Sequence, residues 1–197
     1  MKLVVVSAGL SVPSSTRLLG DRLAAAVARQ AEGDVEVRVV ELRELAVEIA
    51  HNFTNGFPGA GLRAAADAVR GADGLVVVSP VFSASYSGLF KSFFDVIDKD
   101  ALVGMPVLIA ATGGTARHSL VLEHAMRPLF AYLRAVVAPT GVFAASEDWG
   151  AEGLDGRIER AGGELAGLMR VGRAGVRDEF AVVPFAEQLA AVARGEG

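Results

Sequence analysis

Cysteine is absent from the 197 residues. That excludes a disulfide framework, a thiol nucleophile and any cysteine-based metal site, and it leaves the compartment open. Basic runs are absent as well: Lys and Arg number 19 against 23 Asp and Glu, for a formal net charge of −4. Without a basic stripe there is nothing to hold a phosphate backbone, so no nucleic-acid partner is expected. No apolar run reaches the roughly 20 residues that a membrane-spanning helix needs. The apolar start, Leu3 to Val6, is shorter than the core of a signal peptide. These absences lead us to expect a cytoplasmic protein with no membrane contact.

Several catalytic signatures are missing too. His51, His118 and His124 never fall into H-E-x-x-H spacing, and each reads as a structural or exposed residue. Neither G-x-x-x-x-G-K-[ST] nor G-x-G-x-x-G occurs, which removes support for a nucleoside triphosphate site or a Rossmann dinucleotide site. The stretch Gly9 to Pro13, "GLSVP", lacks the closing glycine of G-x-S-x-G and comes too early in the chain for that elbow. Ser7 stands where a receiver domain would carry an acid. Asp95 and Asp98 read as the solvated edge of a helix, and no pair of carboxylates is set up for acid–base work.

What remains is apolar and alternating. Hydrophobic residues make up 52% of the chain, enough for one domain with a sizeable core. Short β-branched runs occur at residues 2–9, 34–42, 74–80, 105–115 and 135–145. Of these the last is the weakest strand, because it contains Pro139 and Gly141. Between them lie helical patterns: Leu19, Leu23 and Val27 at four-residue spacing; residues 62–73; Leu89, Phe90, Phe93, Phe94 and Ile97; and a run from His118 to Leu133 containing Pro128. Residues 46–61, with Phe53, Phe57, Pro58, Gly59 and Gly61, read as irregular. Strands alternating with helices imply right-handed crossovers and a parallel sheet covered on both faces. The expected fold is α/β: a flavodoxin-like, doubly wound, five-stranded parallel sheet of order 2-1-3-4-5 in three α/β/α layers. It would span residues 1–175, with a C-terminal helical extension over 176–197.

In such a sheet ligands bind beyond the carboxyl ends of the strands, so three loops matter. The first, "AGLSVPSSTR", offers Ser11, Ser14, Ser15 and Thr16, followed by Arg17. Hydroxyls and free amides at a helix start suit a phosphate; the alternative is plain capping by one serine. The second, "SPVFSASYSG", carries Phe82 and Tyr86, which either face a flat ring or pack into the core. The third, "ATGGTARH", sets Gly113 and Gly114 between a strand and a helix, either against a ligand or as an ordinary turn. A phosphate cradle with two small, polar loops and no evident acid, base or nucleophile suits a cofactor that carries its own chemistry, such as flavin mononucleotide (FMN).

Two stretches, "SPVFSASYSGLFKSFFDVID" (Ser79 to Asp98) and "ATGGTARHSLVLEHAMRPLFAYL" (Ala111 to Leu133), give the chain its family likeness. It resembles the NAD(P)H-dependent FMN reductases of the flavodoxin-like fold, nearest the reductase components of two-component alkanesulfonate monooxygenase systems. The resemblance implies that Pro80, Val81, Phe82 and Ser83 run beside the isoalloxazine. It implies that Thr112, Gly113, Gly114 and Thr115 approach the ring from another side, and that Ser11, Ser15, Thr16 and Arg17 hold the phosphate. It implies NADPH or NADH as hydride donor, no catalytic side-chain acid or base, and reduced FMN passed to a flavin-dependent monooxygenase. A quinone or azo-compound reductase and a non-enzymatic electron carrier are the alternatives. Leu10 and Val12 depart from the G-S-x-R that family members often carry in the first loop. His124 falls where similar reductases form a π-bulge at a tetramer contact, which implies a homo-oligomer, dimer or tetramer.

Overall fold

Strand β1 (Lys2–Ser7) lies at the centre of the chain's first half, between β2 (Glu36–Glu41) and β3 (Gly74–Phe82), and is parallel to both. On its far side β3 pairs with β5 (Pro106–Gly113), also in parallel. Beyond β5 run two short parallel pieces, β6 (Val136–Val137) and β7 (Val142–Ala145). A small strand β4 (Ser85–Tyr86) folds back antiparallel on the tip of β3. The computed structural model describes residues 1–172; the end of the expected first domain and the expected C-terminal extension lie outside the described residues.

The sheet order is β2-β1-β3-β5-β6, with β7 also on β5; leaving out the hairpin strand β4 and counting β6 and β7 as one interrupted fifth strand, the parallel strands run 2-1-3-4-5, the flavodoxin-like arrangement. The interruption has a cause in the sequence. Pro139 has no amide to give to a ladder. The Ala138 amide still bonds the Val107 carbonyl at 2.8 Å, and beyond it the segment between the two pieces is held by side chains. Arg127 donates to the carbonyls of Ala138 and Pro139 at 3.1 and 3.0 Å. Glu164 accepts from both the amide and the hydroxyl of Thr140 at 2.7 Å.

Strand parity divides the core in two. Val4, Val6, Leu75, Val77, Val107 and Ile109 point to a face covered by α2 (Leu42–Asn55), α3 (Ala60–Arg70), α4 (Gly88–Val96) and α5 (Arg127–Tyr132). Leu3, Val5, Val76, Val78, Leu108 and Ala110 point to the other face, covered by α1 (Ser15–Gln30) and α6 (Leu154–Val171). The stripe Leu19, Leu23 and Val27 of α1 is fully buried there, as its spacing predicts. At Gly162 a Cβ would lie 2.7 Å from that of Ala26, so a glycine lets α6 approach α1.

Two stretches differ from the sequence reading. Much of the supposedly irregular 46–61 stretch is helical: α2 runs to Asn55 and ends at Gly56 in the left-handed region (φ 76°). Leu42 and Ile49, one on each side of Leu45, supply the buried side of α2, while Phe53 and Phe57 stay exposed. The start of α3 has no side-chain cap of its own. Glu48 of α2 supplies one by accepting from the Leu62 amide at 2.8 Å. Gly59 and Gly61 leave room for that carboxylate, which a Cβ at either position would meet. The run from His118 to Leu133 is not one α-helix either. It comprises a 3₁₀ turn (Ala116–His118), a π segment (Leu122–Met126) and then α5, with Pro128 in the first turn of α5. No helix among the described residues is long and apolar enough to cross a membrane.

Candidate functional site

The carboxyl ends of β1, β3 and β5 bring the three loops to one edge of the sheet. In the first loop Ser14 caps α1, its hydroxyl accepting from the Arg17 amide at 3.2 Å. One serine therefore does the capping, and Ser11 and Ser15 remain exposed. The amides of Ser15 and Thr16 find no acceptor among the described residues. They form the positive end of a 16-residue helix, a place that favours an anion. Thr16 turns inward and is 3% exposed.

The structure directs Arg17 elsewhere. Its Nε donates to Asp21 at 2.8 Å, and its Nη1 contacts Glu41 at the end of β2. The hydrogen bond that Arg17 donates to Asp21, reinforced by Glu41, raises the Arg17 pKa above its ordinary value. Its guanidinium is thus already engaged by two carboxylates rather than by the hydroxyls of the loop.

In the second loop Val81 pairs with Tyr86 and Phe82 with Ser85. Ser83 and Ala84 make a two-residue turn, both in the left-handed region at φ 48° and 68°. Such turns suit the twist of a hairpin and usually use glycine or asparagine. Here the strain falls on ordinary residues. The base of the loop is closed by the buried Ser79, whose hydroxyl accepts from the Ser87 amide and donates to the Pro80 carbonyl, each at 2.9 Å. Pro80 and Val81 are half-buried and Phe82 is 47% exposed. Tyr86 leans on Phe90, with ring centroids 5.6 Å apart, as part of the Phe90–Phe94–Phe130 cluster. Its ring packs against the core rather than standing free on the loop.

The third loop is tied to both others. Thr112 pairs across the sheet with Pro80, and its hydroxyl lies 2.8 Å from that of Thr16. Gly113 has no room for a side chain, since a Cβ would stand 2.9 Å from Cζ of Phe143. Gly114 and Thr115 are exposed, and Gly114 faces open space. Thr16, Pro80, Thr112 and Gly113 thus come together, with Ser11, Ser15, Phe82, Ser83, Gly114 and Thr115 on the exposed rim. Arg17 stands apart on its carboxylates. Sequence reasoning missed Ser79, Glu41 and Phe143 as supports. Of these Ser79 sits inside a quoted motif, whereas Glu41 and Phe143 carry no local signal. Among the described residues no group of three His, Asp or Glu side chains is placed to hold a metal.

The profile of a family described as NADPH-dependent FMN reductase matches residues 1–150. The chain belongs to that family. An FMN reductase (NADPH) of Pseudomonas aeruginosa is 41% identical over 172 residues, covering 85% of this chain and 91% of the relative. An NADH-dependent FMN reductase, SfnF, of Pseudomonas fluorescens is 38% identical over 173 residues, covering 85% and 91%. A solved oxidoreductase of Corynebacterium diphtheriae superposes with a TM-score of 0.84 at 50% identity, covering 86% of this chain and 97% of the other. This member of the FMN reductase family has a donor set that fits the flavin nucleotide: hydroxyls and free amides for a phosphate, and small, uncharged loops for a ring.

The π segment also matches what the resemblance implied. It includes His124, which is exposed. Beside it lies a groove of about 470 Å³ lined by Tyr86, Phe94, His124, Tyr132 and others.

Proposed function

We propose that FMN binds across the three loops, with its phosphate at Ser11, Ser15 and Thr16. Its ring lies between Pro80–Ser83 and Thr112–Thr115. The observation that carries this reading is the joining of the loops: Thr112 is hydrogen-bonded to Thr16 and paired with Pro80. Arg17 adds charge to the phosphate only by giving up part of its hold on Asp21 and Glu41. Bound there, the flavin accepts hydride from NADPH or NADH, the chemistry that the family name describes. The protein's own contribution is orientation and exclusion of water. Ser79 and the strained Ser83–Ala84 turn fix the Phe82 side. Phe143 supports Gly113 from below. No side-chain acid or base is assigned.

Reduced FMN then leaves for a flavin-dependent monooxygenase. The exposed site edge supports exchange with solvent, and the reaction belongs in the cytoplasm, where nicotinamide nucleotides are held. The protein acts as a homo-oligomer, dimer or tetramer, joined around His124. That is supported by the groove there and by the exposed Leu120 (62%) and Tyr132 (83%). The test is steady-state oxidation of NADPH and NADH with FMN, FAD and riboflavin compared as acceptors, together with light scattering at micromolar concentration. Nucleotide oxidation with FMN as the preferred acceptor is expected. No flavin-dependent oxidation of either nucleotide would overturn the reading.

A further inference from the structure

Glu41 ends β2 and pairs across the sheet with Ser7, the last residue of β1. It therefore stands one strand away from the point where the first loop begins. Its carboxylate meets two guanidiniums: Nη1 of Arg17, and Nε of Arg43 at 2.9 Å. The side chain of Glu41 is 20% exposed, against 46% for Asp21, the other partner of Arg17. Glu41 is thus the better shielded of the two acids, and its ion pair is less screened.

A guanidinium presents a planar fork that engages carboxylate and phosphate in the same way. Arg17 sits in the first turn of α1, next to the open amides of Ser15 and Thr16. Resting on the phosphate site proposed above, we infer that Glu41 competes with the flavin phosphate for Arg17 and so determines how tightly FMN is held relative to flavins without a phosphate. Two effects act in the same direction. Arg17 must loosen its contact with Glu41 to reach a phosphate. Glu41 also places a negative charge one strand from a dianion, which disfavours the bound state. Asp21 does the same from a more exposed position. A site weakened in this way lets a nucleotide enter and leave, as an enzyme that delivers its flavin to another protein requires.

The experiment titrates FMN and riboflavin, followed by flavin fluorescence, into the wild type, E41Q, R17A and R17A/E41Q. Glutamine keeps the volume and hydrogen-bonding shape of Glu41 and removes its charge. We expect E41Q to bind FMN roughly three- to tenfold more tightly and riboflavin as the wild type does. In the R17A background E41Q should bring a clearly smaller gain, because only the direct repulsion is then relieved. FMN affinity unchanged or lowered in E41Q, while the wild type still prefers FMN to riboflavin, overturns the inference. So does a gain as large without Arg17 as with it. A wild type that binds FMN and riboflavin equally would instead sink the phosphate site itself, so the two failures are distinguishable. D21N is a second variant, read by the same criterion if E41Q does not fold, and should shift FMN affinity in the same direction by less.

Discussion

The hydroxyls of Thr16 and Thr112, 96 positions apart in the chain, share one buried hydrogen bond of 2.8 Å. It fastens the first turn of α1 to the last turn-out of β5, so neither loop can shift without the other. Removing one partner leaves the other hydroxyl without its protein partner in a nearly closed space. T16V and T112V should each cost about 1–3 kcal/mol. The double variant should cost clearly less than the sum, because it leaves no orphaned hydroxyl. Urea denaturation of the four proteins checks this. Additive losses would show that the two hydroxyls do not depend on each other.

Removal of the Arg17 guanidinium tests the phosphate directly. R17A should weaken FMN more than riboflavin, by about 1 kcal/mol. That is the low end for a charge-assisted contact, because Asp21 and Glu41 already hold that group. Parallel fluorescence titrations measure it, and an equal effect on both flavins would remove Arg17 from the site.

Gly113 makes a steric prediction. A methyl group there would press on the ring of Phe143, which is 7% exposed and has little room to yield. G113A should lower stability by roughly 1–3 kcal/mol, as overpacking does, and weaken flavin binding. F143L in the same chain should restore part of both. Thermal melts and FMN titration are the readouts; an unperturbed G113A would mean that Phe143 does not support the loop.

Acid should weaken the region around β7 and the π segment. The Ala145 amide, together with Arg157, lowers the Asp148 pKa, and Arg127 lowers that of Glu123. A depressed folded-state value means that the stabilising contribution is present above the ordinary carboxylate range near pH 4. It is lost as pH falls through the lower folded values. Both groups are partly solvated, so the effect is modest. D148N should be less stable at pH 7, and the gap to wild type should narrow below about pH 4. Denaturation midpoints across that range decide the matter; a gap that widens on acidification would contradict the assignment.

The sheet was legible because β1, β3 and β5 are buried on both faces, which leaves unbroken apolar runs such as Leu75 to Val78. The start of α1 was legible because helix starts use hydroxyls, and Ser14 caps it. What the chain did not disclose locally was tertiary or depended on unusual backbone. Phe53 and Phe57 are exposed aromatics and hid the helical stripe of α2. The Ser83–Ala84 turn has none of the residues that advertise its geometry. One of the two partners of Arg17, Glu41, lies 24 residues away at the end of β2. Leu122 and Met126 are four apart, a spacing that a π turn and an α turn both accommodate. Only the resemblance pointed to a π-bulge at His124.

The broken fifth strand bears on how copies of the protein can meet. At the margin formed by β6 and β7, Pro139 offers no amide, and the carbonyls of Ala138 and Pro139 are already taken by Arg127. Glu164 occupies the amide of Thr140 from the opposite side of the sheet. Between β6 and β7, then, a neighbouring strand would find no continuous ladder to extend. The margin is thus split into a strand of two residues and one of four, which shortens what an intruding strand could pair with.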